Sequence, residues 1–370
     1  MSKTKEPKEI KRILVRAPNW IGDAVMCLPA VAALKAAYPD AEITALTRGR
    51  AVPVFENNPA IAEVMEYDAN GRHKGVTGRL RLRKEIKARG FDMAVLFQNA
   101  FDAAFVSFIS GIPERIGYVR DLRRRFLTRP VAATAEIKKR HQVFYYLNII
   151  KELDAAEASK PPTPVIRLKD EEIRWADEFL RQNGIKKEAE PPEGAQPLQG
   201  ALIGAAPGAS YGPAKRWPAA GFAEVLRRLS EEYNGVPVIF GGVDDAGACR
   251  DAAELIAGRV INLAGRTTLR QCMALLSRLK VFVTNDSGLM HVAAALGVPT
   301  VAVFGSTDAA LTGPVGRAAR VVEKKIECAP CFKRECAYGH YRCLKGVDAA
   351  DVIKAARSLL KEAGKNGACD

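Results

Sequence analysis

The sequence predicts an α/β protein with two doubly wound domains, and three observations support this fold class. Short apolar runs rich in β-branched residues alternate with longer amphipathic segments, and this alternation occurs twice along the chain. Continuous apolar strands separated by helices are typical of parallel sheets covered on both faces. Between the two copies lie 155–164 and 186–200, which are rich in Pro, Glu, Ala and Gly and suit a connector. We therefore expect two parallel sheets with a cleft between the domains.

The apolar runs place the individual elements. Buried strands are predicted at Ile13–Val15, Ile43–Leu46, Met93–Phe97, Ala201–Ala205, Val238–Phe240, Val281–Thr284 and Thr300–Phe304. Helices are predicted between them, at Asp23–Ala37, Phe222–Glu232, Arg270–Leu279 and Leu289–Leu296.

The length of the chain also indicates more than one domain, because 370 residues exceed what a single core usually supports. We assign 1–165 and 200–345 to the two α/β domains. A connector at 166–199 contains a helix-like stretch, Glu171–Gln182, and 346–370 forms a C-terminal helix and tail. Because ligands of open parallel sheets bind outside the carboxyl ends of the strands, functional residues are expected directly after each strand.

The charge distribution indicates an anionic partner. The formal net charge is +14, and between Arg72 and Arg140 there are 17 Lys or Arg against 6 Asp or Glu, including the run Arg123, Arg124 and Arg125. Such an excess suits nucleic acid, an acidic membrane surface or a phosphorylated substrate, although solvated helix faces would also produce it. Nucleic acid is disfavoured, because the basic region lacks interleaved aromatics and carries no known reader motif.

The composition also bears on location. The first dozen residues are polar and charged, which disfavours a secretory signal. No apolar stretch approaches the ~20 residues that cross a bilayer. We expect a cytoplasmic protein.

The loop after the first predicted strand combines a tight turn with an acid. Pro18 and Gly22 shape the turn, and Gly22 lets the backbone approach a ligand closely. Asp23 follows where the first helix begins, so it is either a functional carboxylate or an N-cap. No GxGxxG is present, so this is not the usual dinucleotide-binding fingerprint.

The loop after Ala201–Ala205 has the composition of a phosphate cradle. Two glycines, the Ser210 hydroxyl and the adjacent cations Lys215 and Arg216 lie within 207–218. A flexible surface turn is the alternative, but three prolines favour a shaped loop. Lys offers phosphate a point charge, whereas Arg binds bidentately or stacks.

Two further loops of the second half carry acids. The run from Asn285 to His291 opens a helix, and a helix N-terminus is a ready diphosphate site. Asp286 would repel that anion, so its carboxylate should face elsewhere, for instance towards ribose hydroxyls. Asp245, after Val238–Phe240, either contacts a sugar hydroxyl or caps the next helix. No DxD pair occurs, so nothing suggests a carboxylate-held Mg²⁺, and we expect no cofactor to be required for catalysis.

Three long strings give the chain a family resemblance: ILVRAPNWIGDAV near the start, PGASYGPAKRWP in the middle and VTNDSGLMHVAAALGVPTVAVFG later. In their order and spacing, and over nearly its whole length, the chain resembles glycosyltransferase family 9 and, within it, the heptosyltransferase II group. The resemblance implies the GT-B fold, in which two Rossmann-like domains face a central cleft. The N-terminal domain would bind the acceptor and the C-terminal domain the nucleotide sugar.

The resemblance also implies a reaction. It is the inverting transfer of L-glycero-D-manno-heptose from ADP-heptose to the heptosylated Kdo–lipid A inner core of lipopolysaccharide, at the inner face of the cytoplasmic membrane. A heptosyltransferase acting at another core position, or a GT-B nucleotide-sugar epimerase, are alternatives. The alternative outside enzymes is a basic nucleic-acid-binding protein.

Particular residues inherit roles on the donor side. Lys215, with Ser210, would contact the donor diphosphate, and Arg216 is predicted from the loop composition to bind the donor as well. Asp286 would bind the ribose, and Asp245 would be a second sugar-hydroxyl contact. The backbone N–H groups of Ser287 and Gly288 would bind phosphate.

On the acceptor side, Asp23 would be the general base. Trp20 and the run Arg123, Arg124 and Arg125 are predicted to contact the acceptor.

A cysteine block near the end is not explained by the resemblance. Cys328, Cys331, Cys336 and Cys343 have the spacing C-x2-C-x4-C-x6-C, with His340 nearby. Four thiols at this spacing suit a tetrahedral structural zinc ion. Reduced thiols packed in a loop are one alternative, and disulfides, which the cytosol disfavours, are another.

Overall fold

The computed structural model of the protein describes residues 9–151, 153, 159–185 and 201–366. Residues 155–158 and 186–200 of the predicted connector lie outside these ranges. The chain divides into two compact units, Met1–Ile166 and Arg167–Asp370. Each unit holds one parallel sheet.

Unit 1 alternates strands with helices. Its strands are β1 Arg12–Arg16, β2 Glu42–Thr47, β3 Glu63–Glu66, β4 Met93–Leu96, β5 Glu114–Tyr118 and β6 Arg129–Val131. Its helices are α1 Ile21–Ala37, α2 Val52–Phe55, α3 Gly75–Ala88, α4 Phe101–Ile109, α5 Ala135–Lys139 and α6 Gln142–Lys151, and a short 3₁₀ turn covers Arg123–Phe126.

Unit 2 repeats this alternation. Its strands are β7 Leu202–Ala206, β8 Val236–Ile239, β9 Ile261–Asn262, β10 Leu279–Asn285, β11 Thr300–Phe304 and β12 Ala319–Glu323. Its helices are α7 Asp170–Gln182, α8 Ala219–Glu232, α9 Ala246–Glu254, α10 Leu269–Leu276, α11 Gly288–Ala295, α12 Ala309–Thr312, α13 Arg342–Lys345 and α14 Ala349–Asn366.

The two sheets have the same topology. Their strand orders are β3-β2-β1-β4-β5-β6 and β12-β11-β10-β7-β8-β9, with neighbouring strands parallel. Counted from the first strand of each unit, both orders read 3-2-1-4-5-6, the doubly wound order. The predicted fold class, two doubly wound α/β domains, is confirmed. In each sheet the strand order changes direction between the first and fourth strands of the unit, which is the switch point of the sheet. Ligands are therefore expected outside the carboxyl ends of β1 and β4, and of β7 and β10.

The predicted strands correspond to the sheet centres, and those that the sequence missed lie at or beside the edges. β1, β4, β7 and β10 are nearly continuous apolar runs because both of their faces are covered. β3 and β12 are edge strands that combine buried or half-buried residues with exposed ones, including glutamates. An apolar run therefore identifies a central strand but not an edge strand.

Helix α7, predicted inside the connector, packs within unit 2. The Arg270 guanidinium contacts the Glu172 carboxylate at 2.5 Å, and Arg278 contacts Asp177 at 2.7 Å. These ion pairs join α7 to α10 and to the residues just after it. Among the described residues, no helix combines the length and apolar character needed to cross a membrane.

Candidate active site

The carboxyl edge of the unit 1 sheet places Asp23 at the first turn of α1. The helix begins at Ile21, and its N-cap residue is Trp20, which makes no side-chain capping bond. The buried Thr47 hydroxyl donates to the Pro18 carbonyl at 2.7 Å and so fixes the turn that leads into the helix. Asp23 is therefore the third residue of α1 rather than its N-cap.

A tyrosine on α6 holds the Asp23 carboxylate. The Tyr146 hydroxyl donates to Asp23 Oδ1 at 3.1 Å. Burial, followed by the charge of Asp23, raises the pKa of Tyr146 well above its ordinary value. The raised pKa favours the protonated hydroxyl, which is the form that donates to Asp23. Sequence reasoning missed Tyr146, because it lies 123 residues from Asp23 in the chain.

Other polar groups lie at the same edge. Trp20 is 56% exposed, and the Arg50 guanidinium lies 5.0 Å from its ring centre. Asn19 Oδ1 and Gln98 Oε1, which follow β1 and β4, are buried without a hydrogen-bond partner among the described residues. Oxygen atoms of this kind suit hydroxyl donors of a bound ligand.

The arginine run does not form one exposed patch, which corrects the prediction for Arg123. Its side chain is fully buried, and it donates to the carbonyls of Tyr118 at 2.7 Å and Gln98 at 2.6 Å. Burial lowers the pKa of Arg123 to about 10. Because its guanidinium braces the loops after β4 and β5, only Arg124 and Arg125 remain exposed.

In unit 2, the carboxyl edge brings together cations and acids from three loops. Lys215 Nζ lies 2.5 Å from Asp286 Oδ2, and the Thr307 hydroxyl donates to the same oxygen at 2.6 Å. Asp286 is 6% exposed. The sequence assigned Lys215 and Asp286 to separate ligand groups, whereas the structure pairs them directly. It also adds Thr307, which follows β11.

Asn285 joins the two loops at the switch point of this sheet. Its Oδ1 accepts from the Trp217 backbone N–H at 2.9 Å, and its Nδ2 donates to the Pro207 carbonyl at 2.7 Å. Asn285 is fully buried at the end of β10. It therefore fixes both ends of the 207–217 loop, and sequence reasoning assigned it no such role.

The other predicted donor residues lie around the same loop. A Cβ on Gly208 would come within 2.2 Å of the Asp245 carboxylate, so Gly208 is needed for Asp245 to approach the loop backbone. Asp245 Oδ2 accepts from the Gly242 N–H at 3.1 Å, but although Asp245 is the N-cap residue of α9, its side chain makes no capping bond to that helix, so the predicted capping role is wrong. Ser210 and Arg216 are exposed on the loop.

Helix α11 begins beside this network. Ser287 is its N-cap residue, and Gly288 is its first residue. The Ser287 hydroxyl makes no capping bond and lies 3.3 Å from that of Thr284. The first N–H groups of a helix have no intrahelical acceptors, so this end of α11 favours an anion.

The cysteine-bearing segment, residues 328–343, contacts the 207–217 loop and supports it. Arg334 Nε donates to the Tyr211 carbonyl at 2.7 Å, and the Ala214 N–H donates to the Arg334 carbonyl at 3.1 Å. The Tyr211 hydroxyl donates to the Phe332 carbonyl at 2.7 Å. Lys215 Nζ lies 4.8 Å from the centre of the Tyr211 ring, so these contacts also locate Lys215.

The structure does not support the zinc site, which was one of the three alternatives that the cysteine spacing left open. Among the described residues, no three or more His, Cys, Asp or Glu side chains are arranged to hold a metal ion, and the four cysteines are free thiols. Cys343 packs in the hydrophobic core of unit 2, and burial raises the pKa of its thiol, whereas Cys331 is exposed. Backbone N–H groups, first that of Tyr341, lower the pKa of Cys336.

Comparison with known proteins agrees with this geometry. Residues 79–342 match glycosyltransferase family 9 (heptosyltransferase). The chain belongs to this family. Lipopolysaccharide heptosyltransferase 2 of Salmonella typhimurium is 29% identical, with 95% of this chain and 99% of the relative covered.

Solved structures agree with the family assignment. The ADP-heptose lps heptosyltransferase II of E. coli has a TM-score of 0.79 at 27% identity, covering 95% of this chain and 99% of its own. The family 9 glycosyltransferase of Veillonella parvula DSM 2008 has a TM-score of 0.84 at 28% identity, covering 96% and 99%. The GT-B fold class expected of this glycosyltransferase is thereby confirmed.

Proposed function

We propose that this glycosyltransferase moves L-glycero-D-manno-heptose from ADP-heptose to the heptosylated Kdo–lipid A inner core of lipopolysaccharide, with inversion at the anomeric carbon. The observation that carries the proposal is the Lys215–Asp286–Thr307 network at the switch point of the unit 2 sheet. A cation, an acid and a helix N-terminus at one sheet edge suit a nucleoside diphosphate sugar. The heptosyltransferase names of the relatives supply the sugar.

The network supports a division of labour on the donor. An ammonium group has three N–H donors. Lys215 uses one on Asp286, which leaves two for diphosphate oxygens. Asp286 keeps acceptor capacity for ribose hydroxyls, and its negative charge is offset by Lys215, so it need not repel the phosphates. Arg216 and the α11 N-terminus would add further positive potential.

The proposed chemistry is a single displacement. The acceptor hydroxyl oxygen attacks the anomeric carbon as the bond to the β-phosphate oxygen breaks, through a transition state with oxocarbenium character. Asp23 accepts the hydroxyl proton, a contribution of typically ~10²–10⁴-fold. ADP leaves with its charge met by Lys215, Arg216 and the helix N-terminus. Donors aimed at developing charge contribute roughly 2.7–4 kcal/mol each in comparable sites. The transfer as proposed uses no metal or cofactor.

The acceptor side of the proposal rests on unit 1. Asn19 Oδ1 and Gln98 Oε1 lie at the edge that carries Asp23 and would accept hydrogen bonds from acceptor sugar hydroxyls. Because this acceptor is lipid-linked, we propose that the protein works in the cytoplasm at the inner face of the cytoplasmic membrane.

The test is transfer by the purified chain to defined acceptors. With ADP-heptose, the inner core bearing one heptose should gain the mass of a second, and ADP should appear in equal amount. Kdo–lipid A without heptose and a core that already carries two heptoses are the matched controls. Transfer to either control in preference would assign another core position. ADP release without a glycosylated product would overturn the proposal.

A further inference from the structure

A mixed apolar and basic face lies on the outside of unit 1, along helices α3 and α4. We call it the α3–α4 face, and its groove is lined by Val76, Arg79, Leu80 and Arg83 of α3 and by Phe105 and Ile109 of α4. Val76 is 72% exposed and Leu80 is 47% exposed. Large apolar side chains grouped in this way usually mark a binding surface.

The spacing on α3 separates this face from the core. Gly78, Leu82 and Ile86 are the buried positions of the helix. Val76, Leu80 and Arg83 recur at i, i+4 and i+7 on another side. Helix α3 therefore has two apolar surfaces, of which folding uses one.

Aromatic rings continue the face beyond the groove. Phe101 and Phe108 of α4 are 42% and 46% exposed, and both rings lie 5.3 Å from that of Phe126. The Arg125 guanidinium lies over the Phe126 ring at 5.5 Å, and the neighbouring Leu122 is 82% exposed.

The charge around the face has one dominant sign. Helix α3 carries five cations, Arg79, Arg81, Arg83, Lys84 and Lys87, against the single acid Glu85. Asp102 of α4 is paired with Arg79 at 2.9 Å, and Glu85 lies 3.3 Å from His73. Exposed apolar side chains bordered by an excess of cations complement an anionic lipid surface, into which apolar groups insert while cations meet the headgroups.

The face also has a functional position. Helices α3 and α4 and the 3₁₀ turn at Arg123–Phe126 follow the carboxyl ends of β3, β4 and β5. Asp23 follows the carboxyl end of β1 in the same parallel sheet. The face therefore begins at the edge of unit 1 that carries the proposed base.

From these observations we propose that the α3–α4 face docks the protein on an anionic phospholipid bilayer. The proposal rests on the proposed function in one respect, since a lipid-linked acceptor is reached only at a membrane. The lipid that the face binds is the bilayer itself rather than the acyl chains of the acceptor. Docking would hold the edge that carries Asp23 close to the headgroups.

Vesicle co-sedimentation of the full chain tests the proposal. We expect binding to vesicles of phosphatidylglycerol and phosphatidylethanolamine, weaker binding as salt rises, and little binding to phosphatidylcholine alone. Replacing Val76 by Ser together with Leu80 by Gln should lower the partition coefficient about tenfold, because two exposed apolar groups lose their insertion. Replacing Arg83 and Lys87 by Gln should cost about fivefold per cation at low salt.

Matched controls separate docking from folding and from catalysis. Leu255→Gln removes a leucine of unit 2 that is 58% exposed, somewhat more than Leu80, and should bind vesicles like the wild type. All variants should keep the wild-type melting temperature and the wild-type rate on a deacylated, water-soluble acceptor. Failure of the wild type on that acceptor would count against the proposed function and leave the vesicle result standing.

Three outcomes would overturn the docking proposal. One is unchanged vesicle binding by both double variants. Another is unchanged vesicle binding with a raised KM for detergent-dispersed acceptor, which would assign the face to the acceptor's acyl chains. The third is loss of self-association in sedimentation velocity with unchanged vesicle binding, which would assign the face to a second copy of the chain.

Discussion

The two units share one strand order, yet their ligand edges are built differently. At the unit 2 edge, Asn285 fastens both ends of the 207–217 loop, and Lys215, Asp286 and Thr307 form one connected network. At the unit 1 edge, the Asp23 carboxylate accepts from a tyrosine, and nearby lie an exposed tryptophan and two side-chain oxygens that have no hydrogen-bond partner among the described residues.

This difference fits the ligands proposed for each edge. A nucleoside diphosphate is small and of fixed shape, so a preformed polar site can match it without reorganisation. A lipid-linked oligosaccharide is large, and the adjacent surface of unit 1 is apolar and basic rather than polar. The same doubly wound sheet thus carries a connected polar network at one edge and a less connected set of side chains at the other, because the loops after the strands, not the strands, carry the difference.

The largest expected effect is on the unit 1 edge, at Asp23. Asp23→Asn keeps the shape but removes most of the basicity, so kcat should fall on the order of 10²-fold or more, with ADP affinity and melting temperature nearly unchanged. Single-turnover assays with saturating donor measure the loss. Asp40→Asn, at an exposed position of the same unit, should behave like the wild type. A near wild-type kcat in Asp23→Asn would remove Asp23 as the base.

The corresponding change in unit 2 is Lys215→Ala, which should act mainly on binding. It removes a charge-assisted contact to the diphosphate and leaves Asp286 without its cation, so ADP affinity should fall about 10- to 100-fold, by hydrogen bonds to charged groups of roughly 1.5–3 kcal/mol. Isothermal titration with ADP is the measurement. Lys280→Ala is a matched control, because Lys280 also lies over a tyrosine ring but not at this edge. Equal ADP affinity in the two variants would show that Lys215 does not contact the diphosphate.

The sequence was sufficient for the fold class and for the central strands, but not for all the strands at or beside the sheet edges. Central strands of parallel sheets are apolar on both faces, so β1, β4, β7 and β10 could be predicted from their apolar runs. The site was expected in the loops that follow them. Side-chain contacts between segments that are distant in the chain could not be predicted from the sequence. Tyr146 with Asp23, and Thr307 with Asp286, join elements whose proximity only the packing creates. The prediction that Arg123 contacts the acceptor was wrong, because a sequence does not show whether a cation in a basic run faces solvent or backbone carbonyls.

A smaller effect is expected from the contact of Arg334 with the 207–217 loop. Arg334→Ala removes the donor to the Tyr211 carbonyl and so loosens the loop that locates Lys215. We expect ADP-heptose KM to rise about three- to tenfold with kcat changed less, by the ~1 kcal/mol of one hydrogen bond. Arg342→Ala, at an exposed arginine of α13 in the same cysteine-bearing segment, is the control. If both variants raise KM equally, the effect belongs to the segment as a whole and not to the Arg334 contact.

The smallest expected change concerns Tyr146, and its signature is the pH dependence of the rate. The hydroxyl donates to Asp23 Oδ1, and a donor to a carboxylate favours the charged form. In Tyr146→Phe that support is lost, so a higher pH is needed to ionise the base, and the acidic limb of kcat/KM should move up by about half to one pH unit. Well above that limb the base is ionised in both proteins, and the rates should differ by less than about tenfold. Tyr145→Phe is the matched control, since the hydroxyl of Tyr145, the residue next to Tyr146, instead accepts a hydrogen bond from Asn99. A rate loss that is uniform across pH would show that Tyr146 only packs α6 against α1 and does not act on Asp23.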